Sequence, residues 1–192
     1  MYIKTDHNLI SPIDVILYYI SSKISGFFHN LGFIPNDITT FSFLSAIIGL
    51  HLFNNNFNIN IVICCFILSY FFDCLDGTMA RKYNQETVFG DFYDHITDWI
   101  SAVFLFYIVI KHTKHKNQNL IILSIILLLT TIYTGCQEKL LNFYQKNPSQ
   151  SLSGTKFLCK GNEKEVKNKL KFFKFFGIGT FIMTVLILIK FR

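Results

Sequence analysis

Residues 73–98 read Asp73-Cys74-Leu75-Asp76-Gly77-Thr78-Met79-Ala80-Arg81-Lys82-Tyr83-Asn84-Gln85-Glu86-Thr87-Val88-Phe89-Gly90-Asp91-Phe92-Tyr93-Asp94-His95-Ile96-Thr97-Asp98. Of the 12 acidic residues in the chain, this one stretch holds Asp73, Asp76, Glu86, Asp91, Asp94 and Asp98. Several of them lie in or against the ends of two apolar runs, 59–81 and 88–110, where an unpaired carboxylate costs several kcal/mol. Some compensating charge is therefore required. Asp73 and Asp76 are three residues apart and Asp94 and Asp98 four, so each pair shares one helical face. The short connection from Lys82 to Thr87 turns the chain and makes the two helices antiparallel neighbours, so the four carboxylates can converge at one mouth of a helix bundle. Four anions in a low-dielectric site cannot all remain ionised unaided. A hard dication with oxygen ligands, Mg²⁺ or Mn²⁺, removes that difficulty.

Small residues intersperse these carboxylates. Gly77, Ala80 and Gly90 leave room for a ligand to approach the backbone, although small side chains also let helices pack closely. Arg81 presents a planar fork of donors suited to phosphate oxygens; the competing role is anchoring at the membrane face, and for Lys82 anchoring is the preferred reading.

Outward from the motif, the composition points to lipid. Of the 192 residues 51% are hydrophobic, 17% aromatic and only 16% charged, against roughly a quarter charged in an average soluble domain. Apolar stretches long enough to span a bilayer fall at 37–53, 59–81, 88–110, 119–138 and 171–190. Ser11 to Leu31 is amphipathic: Ile13, Ile16, Leu17, Ile20 and Ile24 form a stripe, with Asp14, Ser21 and Lys23 off it. The expectation is an all-α, polytopic transmembrane bundle of five to six spans, preceded by an interfacial helix over 11–31 and forming one domain over 1–192.

The net charge of +6 comes from lysines between apolar blocks, which argues for membrane orientation signals and against nucleic-acid binding. With the N-terminus inside, Lys4, Lys23, Arg81, Lys82, Lys139, Lys146, Lys156, Lys160, Lys164, Lys167, Lys169, Lys171 and Lys174 fall on the cytoplasmic side, and Lys111, Lys114, Lys116, Lys190 and Arg192 on the other. This bias puts the aspartates at the cytoplasmic face. Residues 142–170 read as a polar cytoplasmic loop with little core of its own. The five cysteines, Cys64, Cys65, Cys74, Cys136 and Cys159, show no CxxC spacing and indicate neither a disulfide frame nor a zinc site.

The fixed positions Asp73, Asp76, Gly77, Ala80, Arg81, Gly90, Asp94 and Asp98 match the signature of the CDP-alcohol phosphatidyltransferases, which this chain resembles. Pro35-Asn36-Asp37-Ile38-Thr39 is similar to the opening of the first span in that family. The resemblance implies a membrane enzyme of phospholipid synthesis that moves a phosphatidyl or phosphoalcohol group from a CDP-linked donor to an alcohol, with release of CMP. It further implies Asp73, Asp76, Asp94 and Asp98 as ligands of a two-metal site, with Asp98 sharing in ligation or acting as general base. Gly77, Ala80 and Arg81 would hold the CDP portion, with Asn36 and Thr39 as weaker contacts, and the chain would form a homodimer. Phe92-Tyr93-Asp94-His95 resembles the choline and ethanolamine phosphotransferases, in which a CDP-aminoalcohol is the donor and His95 is a second candidate base. Ala80-Arg81-Lys82-Tyr83 through Phe89-Gly90 looks instead like the synthases that use CDP-diacylglycerol. Family members have six spans where five are counted here, and Ser11 to Leu31 is the candidate for a further hydrophobic element. Two other classes compete: a divalent-cation transporter or channel lined by the carboxylates, and a catalytically silent membrane scaffold. Ion paths spread polar residues through the bilayer, whereas these gather at one end of two spans beside Gly, Ala and Arg.

Overall fold

In the computed structural model, which describes residues 6–144 and 153–190, the described chain is helical. The helices are α1 (Pro12–Asn30), α2 (Pro35–Asn54), α3 (Ile59–Lys82), α4 (Val88–His112), α5 (Lys116–Phe143), α6 (Glu163–Phe173) and α7 (Ile178–Lys190), with short 3-10 turns before α1, before α6 and between α6 and α7. Local chemistry sets the boundaries that matter for the motif. Pro35 opens α2, where its missing N–H costs nothing, and the Asp37 carboxylate accepts the N–H of Ile34 at 3.0 Å. Asn58 caps α3 by accepting from the N–H of Asn60. At the far end of α3, Asn84 takes a left-handed φ of 55°, a conformation Asn tolerates, and reverses the chain. Thr87 then caps α4 by accepting the N–H of Gly90 at 3.0 Å.

Among the described residues, four helices are long and apolar enough to cross a membrane, or five if α1 and α2, bent by 113° to each other, count as one broken span. The expectation of five to six spans thus meets four to five. The last expected span, 171–190, is a composite of the end of α6, a 3-10 turn and α7. The main core lies mid-bundle, where Ala46, Phe66, Ile108, Leu123 and Val185 bring α2, α3, α4, α5 and α7 together. Gly49 makes room for α3 in it: a Cβ there would stand 2.9 Å from the Phe66 ring and 3.1 Å from Cys65 Cβ, so these side chains of α3 pack against the backbone of α2.

The helix at 11–31 is present as α1, with its amphipathicity turned inside out. Asp14, Ser21 and Ser25 are buried against the protein, whereas Ile16, Ile20, Ile24 and Phe27 of the apolar side are exposed. For a helix in a bilayer this is the favourable arrangement, because lipid accepts the isoleucines and the protein supplies partners for Asp14 and Ser25.

Two expectations need correction. Within the stretch 142–170, expected to be a loop with little core of its own, lie a 3-10 turn (Ser153–Leu158) and most of α6, which pack on α5 in a second core of Leu9, Tyr133, Cys136, Leu140, Val166 and Leu170. Cys136 and Cys159 are bonded as a disulfide within that core, with Cα atoms 4.9 Å apart. Their separation of 23 residues carries no motif, so only the docking of the turn on α5 brings them together. That docking needs Gly135, because a Cβ would run into the Thr155 carbonyl. Protein purified without reductant and then denatured is expected to expose three thiols to a maleimide, from Cys64, Cys65 and Cys74, and five after reduction. Mass spectrometry reads the count, and five labels before reduction would contradict the pairing.

Candidate active site

Asp73 and Asp76 lie on the last turns of α3, and Asp94 and Asp98 on the first turns of α4, so the helix reversal at 83–87 puts all four at one end of the bundle. Asp73, Asp76 and Asp94 each offer a carboxylate oxygen, and these three atoms lie within 4.8 Å of one another. Asp76 is buried, at 3% exposure, and the other two are half-buried. Asp98 lies outside this trio, one turn along α4 from Asp94 and on the same helical face.

The donor set suits a hard dication. An octahedral Mg²⁺ holds oxygens at about 2.1 Å, which puts its own ligands roughly 3 to 4 Å apart. Three carboxylate oxygens already within 4.8 Å need only small rotamer adjustments to reach that spacing. Thiol and imidazole ligands are absent from the trio, which is the composition expected for Mg²⁺ or Mn²⁺ rather than zinc.

Asp76 is oriented by the Thr39 hydroxyl, which donates to its carboxylate at 2.6 Å. Thr39 is 37 residues away on the first turns of α2 and is buried. The sequence marks Thr39 only as a weaker contact for the CDP portion; spacing does not reveal its partner, because the pairing depends on how α2 crosses α3. Asn36 lies beside Gly90, where a Cβ would stand 2.9 Å from its Oδ1. Gly90 therefore lets the start of α4 approach α2, and Thr40 on α2 meets the Tyr93 hydroxyl at 3.1 Å.

The remaining sequence candidates sort as follows. Gly77 and Ala80 are half-buried on the last turns of α3, next to Asp76 along the helix. The Arg81 side chain folds back along α3, and a Cβ on Gly77 would stand 3.2 and 3.3 Å from its two terminal nitrogens. Lys82, expected to be a membrane anchor, turns inward instead: its Nζ donates to the Ser22 carbonyl at 3.1 Å and to Ser25 Oγ at 2.9 Å on α1. His95 Nδ1 is engaged with the Asp91 carbonyl on its own helix and stands 3.8 Å from the Asp91 carboxylate. Asp91 and His95 thus pair on α4, next to the exposed side chains of Phe92, Ile96, Trp99 and Ile100.

Chemically, such carboxylates could hold divalent cations, and those cations would offset the charge of a polyanion while an adjacent carboxyl group stays available to take a proton. No curated protein and no solved structure matches the chain. Residues 32–191 match the family model for CDP-alcohol phosphatidyltransferase, a span that begins just before α2 and takes in the whole carboxylate cleft. Transfer from a CDP-linked donor to an alcohol within a membrane is the chemistry of that family, and with most of its length inside the match this chain belongs to the CDP-alcohol phosphatidyltransferases.

Proposed function

We propose that this chain is a metal-dependent enzyme of phospholipid synthesis whose catalytic residues are the aspartates of α3 and α4. The observation that carries the reading is the trio Asp73, Asp76 and Asp94, converging from two helices beside a fourth carboxyl group. These three hold Mg²⁺ or Mn²⁺, and Asp98 shares in holding a second ion or serves as the base. The bound ions supply neutralisation of the pyrophosphate charge. Arg81 donates to the phosphate oxygens, and Gly77 and Ala80 keep the α3 side of the cleft low enough for the CDP portion. Asp98 accepts the proton of the acceptor hydroxyl as the hydroxyl oxygen bonds to the phosphorus distal to cytidine. The bond from that phosphorus to the bridging oxygen breaks, and CMP leaves with the electron pair. The donor is CDP-diacylglycerol or a CDP-aminoalcohol, and the enzyme acts as a homodimer.

Clustering of the carboxylates at one end of the spans supports catalysis over an ion path, which needs polar groups through the depth of the bilayer. Membranes containing the protein are expected to release CMP from CDP-diacylglycerol, CDP-choline or CDP-ethanolamine when offered serine, inositol, glycerol phosphate and diacylglycerol as acceptors. EDTA is expected to stop that release and Mg²⁺ or Mn²⁺ to restore it. Divalent-cation flux into vesicles without CMP release across the panel would replace this reading by the transporter.

Mn²⁺ binding to the purified protein, followed by electron paramagnetic resonance, separates the roles of the side chains. Asp76→Asn is expected to lose both Mn²⁺ and turnover. Thr39→Val is expected to weaken Mn²⁺ by about tenfold to a hundredfold, because it releases a ligand from its orienting hydrogen bond. As base, Asp98 is expected to be worth about a hundredfold to ten-thousandfold in turnover, so Asp98→Asn should lose that much while a Mn²⁺ ion remains bound. Full turnover in Asp98→Asn would refute its assignment.

The cleft faces the cytoplasm on this reading, supported by the excess of Lys and Arg in the segments at that end. The Cys136–Cys159 pair stands at the same end, and disulfides persist mainly in oxidising compartments, so the two indicators oppose each other. Labelling decides between them. With the native free cysteines replaced, an impermeant maleimide applied to intact cells is expected to label Lys114→Cys, at the opposite end, and to leave Glu86→Cys unlabelled. The reverse pattern would put the cleft on the outer side.

A further inference from the structure

Arg81 reaches one turn back along α3 and rests over Gly77, beside Asp76. Its guanidinium carbon lies 5.6 Å from the centroid of the Tyr18 ring, within the range of a cation–π contact. Tyr18 belongs to α1 and lies outside the signature and outside residues 32–191. Helix α1 has little freedom at this point. One turn before Tyr18, the buried Asp14 carboxylate accepts the Tyr70 hydroxyl of α3 and the N–H of Gly179, 3.1 Å away on α7. Further along, Lys82 binds Ser22 and Ser25, and His29 stacks on Tyr83 with ring centroids 3.7 Å apart and planes 9° apart. Successive contacts from Asp14 to His29 therefore clamp α1 along the last turns of α3, and Tyr18 is the member of this series that touches the arginine.

We propose that Tyr18 is a positioning residue for the CDP-linked donor, its ring holding the Arg81 guanidinium against Gly77 at the phosphate end of the cleft. A long arginine side chain loses rotamer freedom when it engages an anion, and a partner that has already restricted it lowers that cost at binding. Glycine at 77 is the other half of the seat, since a Cβ there would crowd both terminal nitrogens. Asp14 and Tyr70 act one step further back, by fixing the turn of α1 that carries Tyr18. The proposal rests on the reading of Arg81 as a phosphate contact.

The test uses the full chain in detergent micelles, with CDP as the probe in the presence of Mg²⁺ and Mn²⁺ affinity measured in parallel. Tyr18→Phe keeps the ring and is expected to bind CDP like the unmodified protein. Tyr18→Leu is expected to weaken CDP by about fivefold to tenfold, the size of a partly desolvated cation–π contact, with Mn²⁺ affinity unchanged. In an Arg81→Ala background, Tyr18→Leu is expected to add nothing, since the two changes act through one contact. The proposal is overturned if Tyr18→Leu binds CDP normally, if its effect adds fully to that of Arg81→Ala, or if Mn²⁺ binding falls in step with CDP. An unmodified protein that binds Mn²⁺ but no CDP would overturn the reading of the site itself.

Discussion

Four aspartates brought to one end of a bundle of apolar helices are the costliest feature of this molecule, and much of the surrounding architecture follows from them. Two half-buried carboxylates and a buried one, with oxygens within 4.8 Å of one another, cannot all stay ionised unless protons or cations offset their charge. The helices that carry them must still be held in register, because repulsion would otherwise open the cleft. Gly49 lets α2 lie directly against α3, Gly90 lets α4 approach α2, and Thr39 ties Asp76 to the start of α2. Close backbone packing and a hydrogen bond to the most buried carboxylate together keep three helices convergent.

The N-terminal helix takes part in the same constraint from the other side. An amphipathic helix lying on a membrane usually directs its polar face to water. Here Asp14, Ser21 and Ser25 are turned into the protein, and the isoleucine side is left to lipid. Asp14 finds a hydroxyl partner on α3 and an amide partner on α7, and Ser25 an ammonium partner at the end of α3, so α1 links α3 to α7. Losing one partner of such a buried network leaves an unsatisfied group, which costs more than the bond itself contributes. The clamp on α3 is correspondingly hard to loosen piecemeal.

A second core, independent of the cleft, sits under α6. It joins Leu9 from the N-terminal segment to Tyr133 and Leu140 of α5 and to Val166 and Leu170 of α6, with the Cys136–Cys159 bridge inside it. Tyr133 knits this region to the start of α1, since its hydroxyl accepts the N–H of Ser11 at 3.1 Å and is bonded in turn by Gln137 at 2.7 Å. The polar stretch before α7 thus has a packed role that its lysine-rich composition conceals. In α6 the apolar positions are only Val166, Leu170 and the closing phenylalanines, too few to signal a core without knowing what lies opposite.

The helical class, the spans near 59–81, 88–110 and 119–138, and the carboxylate cluster could all be read from the sequence, because each rests on local periodicity: the length of an apolar run, or acids three and four residues apart on one face. Family membership was legible for the same reason, since its fixed positions fall within 26 consecutive residues, 73–98. The pairings that cross between helices were beyond its reach. Thr39 with Asp76, Tyr18 with Arg81, Asp14 with Tyr70 and Gly179, and Cys136 with Cys159 join residues far apart along the chain. Which side of α1 faces protein, and whether Lys82 points to lipid headgroups or to a serine, depends on the angle at which helices cross. A one-dimensional pattern does not carry that angle; close packing in three dimensions does.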